Sequence, residues 1–275
     1  MPSFFDQIKQ EVEGYIRVED ASEEVCELYS VYYSISGANR LDFVDATATE
    51  LEIDIQSGKR SLTLNIAQNP NINGELGQTG AVLWNSSVVM SRFLAERSAT
   101  SWDVANLSAI ELGSGCGLVG LVLHRLGAKR VVLTDQARML KLLAKNVDSN
   151  MLNSASNKQK RKTGGVHASE LVVAEYEWGY PPRDPRVLEK SADVVVVSDC
   201  VYHESVAPLL AKTLVDICRS RGDGTPVVAI IGQELRSDLV HQAFVDQLLK
   251  DFVVYRVPVN EAVDAFYALY AVWLK

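Results

Sequence analysis

Ser108-Ala-Ile-Glu-Leu-Gly-Ser-Gly-Cys-Gly-Leu-Val-Gly-Leu121 sets a short apolar run against three glycines at alternate positions, Gly113, Gly115 and Gly117. Leu118–Leu126 follows, interrupted only by Gly120. Apolar run, glycine turn and apolar segment read as strand, tight turn and helix. Glycines there open backbone conformations closed to other residues and let a ligand approach the main chain. The first amides of the helix have no partner within it, so they are available to whatever lies over the turn.

Outward from this stretch, Gly115-Cys-Gly117-Leu-Val-Gly120 fits the dinucleotide pattern G-x-G-x-x-G, which alone is a weak signal. Lys129-Arg-Val-Val-Leu-Thr-Asp135 is a second apolar run, closing on an acid twenty residues beyond Gly115. An acid at the end of a second parallel strand is placed to accept hydrogen bonds from ribose hydroxyls, whichever adenosine ligand is bound. Glu111 separates the possibilities. A carboxylate just before the first glycine repels a pyrophosphate but orients a cationic, phosphate-free ligand. S-adenosyl-L-methionine has adenosine, a sulfonium and an α-amino group, and is the expected cofactor.

Beyond Ser101, strands and helices alternate, as in a parallel sheet covered on both faces. Strands are predicted at Ser108–Leu112, Arg130–Thr134, Leu171–Tyr176, Asp193–Ser198, Pro226–Ile231, Phe252–Val257 and Phe266–Leu274. The turn Val259–Asp264 is too short for a helical crossover, so the last two strands are predicted antiparallel. The expected class is α/β: a Rossmann-like, seven-stranded, mostly parallel sheet with a C-terminal antiparallel hairpin, preceded by helices and a β-hairpin.

The chain divides into an N-terminal accessory segment, residues 1–78, and a cofactor-binding domain, 79–275. In the first, Phe5, Ile8, Val12 and Ile16 fall near helical spacing within a predicted helix over Pro2–Ile16, and Ala21–Tyr33 reads as a second. Leu51-Glu-Ile-Asp-Ile55 and Leu62-Thr-Leu-Asn-Ile66 alternate about a Gly-Lys turn, as a hairpin with one buried face does. In the second, Thr79–Ser87 leads with Trp84 into an amphipathic helix and is placed to wall a pocket, with the indole near the methionine end of the cofactor.

Composition narrows the function. The chain has 275 residues, 47 % hydrophobic and 23 % charged, as an ordinary packed soluble protein has. A net charge of −8 argues against a nucleic-acid partner, and Lys158-Gln-Lys-Arg-Lys162 reads as a solvated loop. No apolar run of membrane-spanning length and no secretory h-region is apparent. Cys26, Cys116, Cys200 and Cys218 are widely spaced, as reduced thiols are, and no metal cluster forms among cysteines and histidines. The expectation is a monomer with no membrane or metal partner, in the cytoplasm and also in the nucleus.

Ligands of a doubly wound sheet bind at the carboxyl ends of the strands. Trp178-Gly179 follows the third strand, where an indole packs against adenine. The four valines 194–197 form a buried strand ending in Ser198 and Asp199, with Tyr202 one turn on. An acid and an aromatic ring at a methyl-donor pocket suit a lysine: the carboxylate orients the ammonium and the ring lines its channel. Asp199 is also a candidate N-cap for a helix over Val206–Cys218. His203 is a possible proton acceptor; Glu234 and Arg236 are candidates to meet a substrate protein.

Together, Glu111-Leu-Gly-Ser-Gly-Cys-Gly-Leu-Val-Gly, Trp84, Trp178-Gly179 and Asp199-Cys-Val-Tyr202 resemble methyltransferase family 16, the seven-β-strand protein lysine methyltransferases of the methyltransferase-like 21 type. The resemblance runs from about Thr79 onward. It implies that Trp84, Gly113, Ser114, Gly115, Asp135, Trp178 and Ser198 contact the cofactor, besides Glu111 and Gly117 of the motif, and that Asp199 and Tyr202 form the catalytic D-x-x-Y. It further implies methylation of a lysine on a non-histone protein, such as a chaperone ATPase or a translation elongation factor. A small-molecule or protein-histidine methyltransferase and a non-catalytic adaptor that binds the cofactor stay open. A nicotinamide-dependent oxidoreductase is opposed by Glu111 and the terminal hairpin.

Overall fold

The computed structural model describes residues 2–35, 43–72, 79–156, 169–259 and 266–275. The basic run 158–162 and positions 260–264 of the last turn lie outside the described residues. All seven predicted strands are present: β4 (Ser108–Leu112), β5 (Arg130–Asp135), β6 (Glu170–Glu175), β7 (Val194–Ser198), β8 (Val228–Glu234), β9 (Phe252–Arg256) and β10 (Tyr267–Leu274). An eighth, β1 (Ile16–Val18), joins them in the order β1-β9-β10-β8-β7-β4-β5-β6.

β6, β5, β4, β7 and β8 are parallel neighbours. β10 lies antiparallel between β8 and β9, and β1 is antiparallel to β9. From β4 the chain passes to β5 and β6 on one side and to β7 and β8 on the other. The reversal therefore falls between β4 and β7, and a crevice opens at their carboxyl ends.

The additional strand corrects the reading of the N-terminus. Helix α1 is Phe4–Val12, not a helix reaching Ile16. Ser3 and Asp6 close a capping box at its start, and Phe4, Ile8 and Val12 form its buried stripe. The helix stops at Val12 just before Gly14, a poor helix former; Ile16 and Val18, both β-branched, enter the strand, where Ile16 is 49 % exposed. Helix α2 spans Ala21–Ile35, with Asp20 Oδ1 accepting from the amides of Ser22 and Glu23.

The hairpin pairs β2 (Glu50–Ser57) with β3 (Arg60–Ala67) through a turn at Gly58, whose φ is 57°. Helices α3 (Asn85–Thr100), α4 (Leu118–Leu126), α5 (Leu140–Ser156), α6 (Ala207–Ser220) and α7 (Asp238–Asp251) complete the layers. Alternation along β7 shows how both faces fill: Val194 and Val196 join one core with α1, α3, α4 and the hairpin, whereas Val195 and Val197 join the other with α2, α6 and α7. A strand buried on both faces reads as an unbroken valine run for this reason.

Asn146 of α5 ties the hairpin to the glycine turn. Its Oδ1 accepts from the Ala67 amide at 2.8 Å, and its Nδ2 donates at 2.9 Å to both the Ala67 and the Cys116 carbonyls. Asn150, one turn on, grips Asn65 in the same two-way manner at 3.0 and 2.8 Å. Segment 1–78 thus contributes a sheet strand, helices to both faces and a direct tie to the motif.

Candidate active site

A cavity of 310 Å³ opens at the carboxyl edge beside the β4–β7 reversal. Its lining brings together nine predicted residues: Trp84, Gly113, Ser114, Gly115, Asp135, Trp178, Ser198, Asp199 and Tyr202. Glu111 and Gly117 are not among them.

The glycine turn explains the division. Gly113 has φ 66°, and a Cβ on it would sit 2.6 Å from Cys200 Sγ and 3.0 Å from the Trp178 ring. Gly115, at φ 51°, lies against Gly80, with a hypothetical Cβ 3.2 Å from the Gly80 carbonyl. Both must be glycine for close approach as well as for their left-handed backbone. Gly117 (φ 85°) precedes α4, and a side chain there would strike Leu143 and Leu133, away from the cavity.

Glu111 lies below the turn, 2 % exposed, with Oε2 accepting from the Gly120 amide at 3.0 Å. Burial pushes its carboxyl up to about 8. Its place is structural support of the motif, because alternation along β4 points residue 111 toward α4.

Asp135 closes the floor. Oδ2 accepts from the Gly115 amide at 2.8 Å and Oδ1 from the Gln136 amide at 2.7 Å, while burial raises its carboxyl above the usual range. Ser114 fixes the turn to β5: its amide donates to the Thr134 carbonyl and its Oγ accepts from the Thr134 amide, at 2.9 and 3.0 Å. Tyr176 and Ser198, both in the lining, carry buried hydroxyls with no hydrogen-bond partner among the described residues.

Asp199 sits in the left-handed region, φ 57°, with its amide donating to the Gly232 carbonyl at 2.7 Å. Its carboxylate, 3 % exposed, accepts from Arg236 through two parallel bonds, Nη1 to Oδ1 at 2.7 Å and Nη2 to Oδ2 at 2.5 Å. Gln233 Nε2 adds a third donor to Oδ1 at 3.0 Å. α6 starts at Ala207, after Val206, so Asp199 does not cap it. His203 Nδ1 instead accepts from the Ser205 amide, and its ring is outside the lining. Tyr202, 52 % exposed, stands on the rim with Trp84, Tyr180 and Leu209.

Gly80, Tyr176 and the Arg236 clamp on Asp199 are the parts that the sequence reading missed. β8 continues to Glu234, three residues past its predicted end, and that extension delivers Gln233 and Arg236 to Asp199. Arg236 had been placed toward a substrate protein; its guanidinium faces Asp199 and the Trp84 ring, 5.1 Å from the ring centroid.

The residues fit an adenosine-bearing, cationic, phosphate-free ligand. Each Asp135 oxygen holds one backbone donor and has lone-pair capacity left for ribose hydroxyls. Two orphaned hydroxyls await donors or acceptors. Asp135, Glu177 and Asp199 stand against Arg138 as the single cationic residue among the described lining residues, a balance that suits a sulfonium better than a pyrophosphate.

Comparison with known proteins agrees. The profile described as lysine methyltransferase matches residues 60–251. Protein N-lysine methyltransferase METTL21A of Danio rerio is 32 % identical over 177 residues, covering 64 % of this chain and 70 % of its own. Protein-lysine N-methyltransferase EFM6 of Saccharomyces cerevisiae is 26 % identical over 203 residues, 67 % of this chain and 74 % of its own. EEF1A lysine methyltransferase 3 of Xenopus tropicalis is 27 % identical over 179 residues, 62 % and 68 %. The chain belongs to the lysine methyltransferase family and is an S-adenosylmethionine-dependent methyltransferase.

Proposed function

We propose that this enzyme is a protein-lysine N-methyltransferase whose substrate is a non-histone protein, of the chaperone ATPase or translation elongation factor class. The observation that carries the reading is the presence of both Asp199 and Tyr202 in the lining of the cavity that the glycine turn also lines. Exposed Trp84, Tyr180, Tyr202 and Leu209 at the mouth suit the flanks of a side chain inserted from a macromolecule. One relative is named for EEF1A, which supports the elongation-factor alternative. Four free cysteines, three of them buried, fit a reducing compartment such as the cytoplasm or nucleus.

S-adenosylmethionine, when bound, supplies an electrophilic methyl on a positively charged sulfur. Asp135, Ser198 and the glycine turn would hold it, and a neutral lysine nitrogen would take its methyl group, the carbon–sulfur electron pair staying with the sulfur. Lysine has a reference pKa of about 10.4, so the amine must first release a proton, which passes to water. Asp199 Oδ2, which accepts from Arg236 alone among the described residues, has a lone pair left to accept from the amine and aim it. Tyr202 lines the approach, and most of the rate comes from positioning.

Labelled methyl transfer into a cell lysate tests this directly. One discrete protein band is expected, with the label on lysine, and Asp199→Ala should reduce it about 100-fold while retaining cofactor affinity. Label on histidine or on a small molecule, or no label from an enzyme that binds the cofactor, would overturn the reading.

A further inference from the structure

Residues 199–203 belong to no helix or strand, yet they carry both Asp199 and Tyr202. The turn sets out from Asp199 in the left-handed region, which costs free energy in any residue that has a side chain. Such a turn keeps one shape only where its surroundings determine it.

Gln233 of β8 supplies that determination from one carboxamide. Its Nε2 donates to the Val201 carbonyl and to Asp199 Oδ1, each at 3.0 Å, and its Oε1 accepts from the Val201 amide at 3.3 Å. Val201 is 3 % exposed and Gln233 5 %, so the backbone groups of Val201 have little access to water as an alternative partner. The strand beneath Gln233 is itself fixed. Gln233 pairs with Ala268 of β10, and the preceding Gly232 pairs with Ser198 of β7 and accepts the Asp199 amide. Gln233 and Tyr202 also line one small cavity, which shares Tyr202 with the larger one.

The residue type follows from the task. Two donors and one acceptor are needed on a single planar group. A carboxylate has no donor, an ammonium or guanidinium no acceptor, and asparagine carries the same groups on a shorter arm. Arg236 holds the Asp199 carboxylate alone, whereas Gln233 bonds both to that carboxylate and to the backbone leading to Tyr202.

We infer that Gln233 is a positioning residue for methyl transfer: its carboxamide braces Asp199 against the Val201 backbone and so sets where Asp199 and Tyr202 stand relative to each other. The inference rests on the roles given to those two residues in the lysine reading.

The test is single-turnover transfer of labelled methyl, with enzyme in large excess over the acceptors of a cell lysate. The plateau rate constant reports the bound complex, and the half-saturating enzyme concentration reports binding. Gln233→Met fills similar space without the hydrogen bonds. It should lower the plateau about tenfold, while half-saturation and the cofactor dissociation constant, read by calorimetry, stay within about twofold of wild type. Gln233→Glu keeps the acceptor for the Val201 amide but turns a second acceptor toward Asp199 and the Val201 carbonyl. It should be at least as slow, and it tests the inference even if Gln233→Met does not fold. Because Gln233 acts through Asp199, the double variant Asp199→Ala/Gln233→Met should be no slower than Asp199→Ala. A wild-type plateau in either single variant overturns the inference. So do losses that multiply in the double variant, or cofactor affinity that falls in step with the rate. Absence of lysine label from the wild type, or a wild-type plateau in Asp199→Ala, overturns the lysine reading instead, and this inference with it.

Discussion

Glu111 and Gly120 meet beneath the glycine turn, the carboxylate accepting the amide hydrogen of a residue that has no side chain to obstruct it. A Cβ at position 120 would lie 2.7 Å from Glu111 Oε2 and 2.8 Å from Leu133. The third glycine of the apparent dinucleotide pattern is therefore explained by the acid before the turn.

Gly120→Ala should destabilise the enzyme despite alanine's helix preference. The clash is with packed side chains, and overpacking of this kind costs about 1–3 kcal/mol, against a gain of about 1 kcal/mol from propensity. Denaturant titration should show a lower midpoint with an unchanged slope.

Glu111 makes stability fall with pH. Burial pushes its carboxyl up to about 8 when folded, against an ordinary value of 4.5. Between those limits the folded state binds the extra proton, so its contribution is complete below the lower value and lost as pH rises through the upper one. Wild type should lose stability relative to Glu111→Gln from about pH 5 to about pH 8, and the difference should flatten above that range. A difference that grows in wild type's favour over this range contradicts the assignment.

Asp135→Ala should act on cofactor affinity. It removes the acceptor of the Gly115 amide and the acceptor capacity offered to ribose hydroxyls. Loss of one charged hydrogen bond is worth about 1.5–3 kcal/mol, so calorimetry should show the dissociation constant rising at least about tenfold. Turnover at saturating cofactor should change far less.

Asn146→Ala should damage both stability and the site. Three hydrogen bonds vanish from a fully buried side chain, leaving the Ala67 amide and carbonyl and the Cys116 carbonyl to find other partners. A loss of about 3 kcal/mol is expected from unsatisfied buried groups, read from unfolding midpoints. Cofactor affinity should fall as well, because Cys116 belongs to the turn.

The sheet was legible because its signals are local. Each strand from β4 to β10 is a short apolar run bounded by breakers, and the glycine spacing marks the turn. Ile16 was misread because apolar positions spaced by four residues satisfy helical periodicity, while the fate of that stretch was decided by a partner strand over 230 residues away. At the site, strand ends were readable as a shared edge, and nine of the residues read from it line one cavity. The burial of Glu111 depended on the space left by Gly120, and the Arg236 clamp depended on how far β8 runs beside β7. Both are matters of packing between distant segments, which spacing along the chain does not encode.

The placement of β10 governs the order in which this protein can assemble. Among the described residues, β1 pairs only with β9, and β9 reaches the rest of the sheet only through β10. β1 therefore has no seat until β10 has emerged and inserted between β8 and β9. Until then the hydrogen-bonding edge of β8, which carries Gln233 and Glu234 to the active site, is bare. Pairings over so long a loop are slow to form. A growing chain should thus hold an open sheet edge until β10 is available and become a competent enzyme only in one closing step.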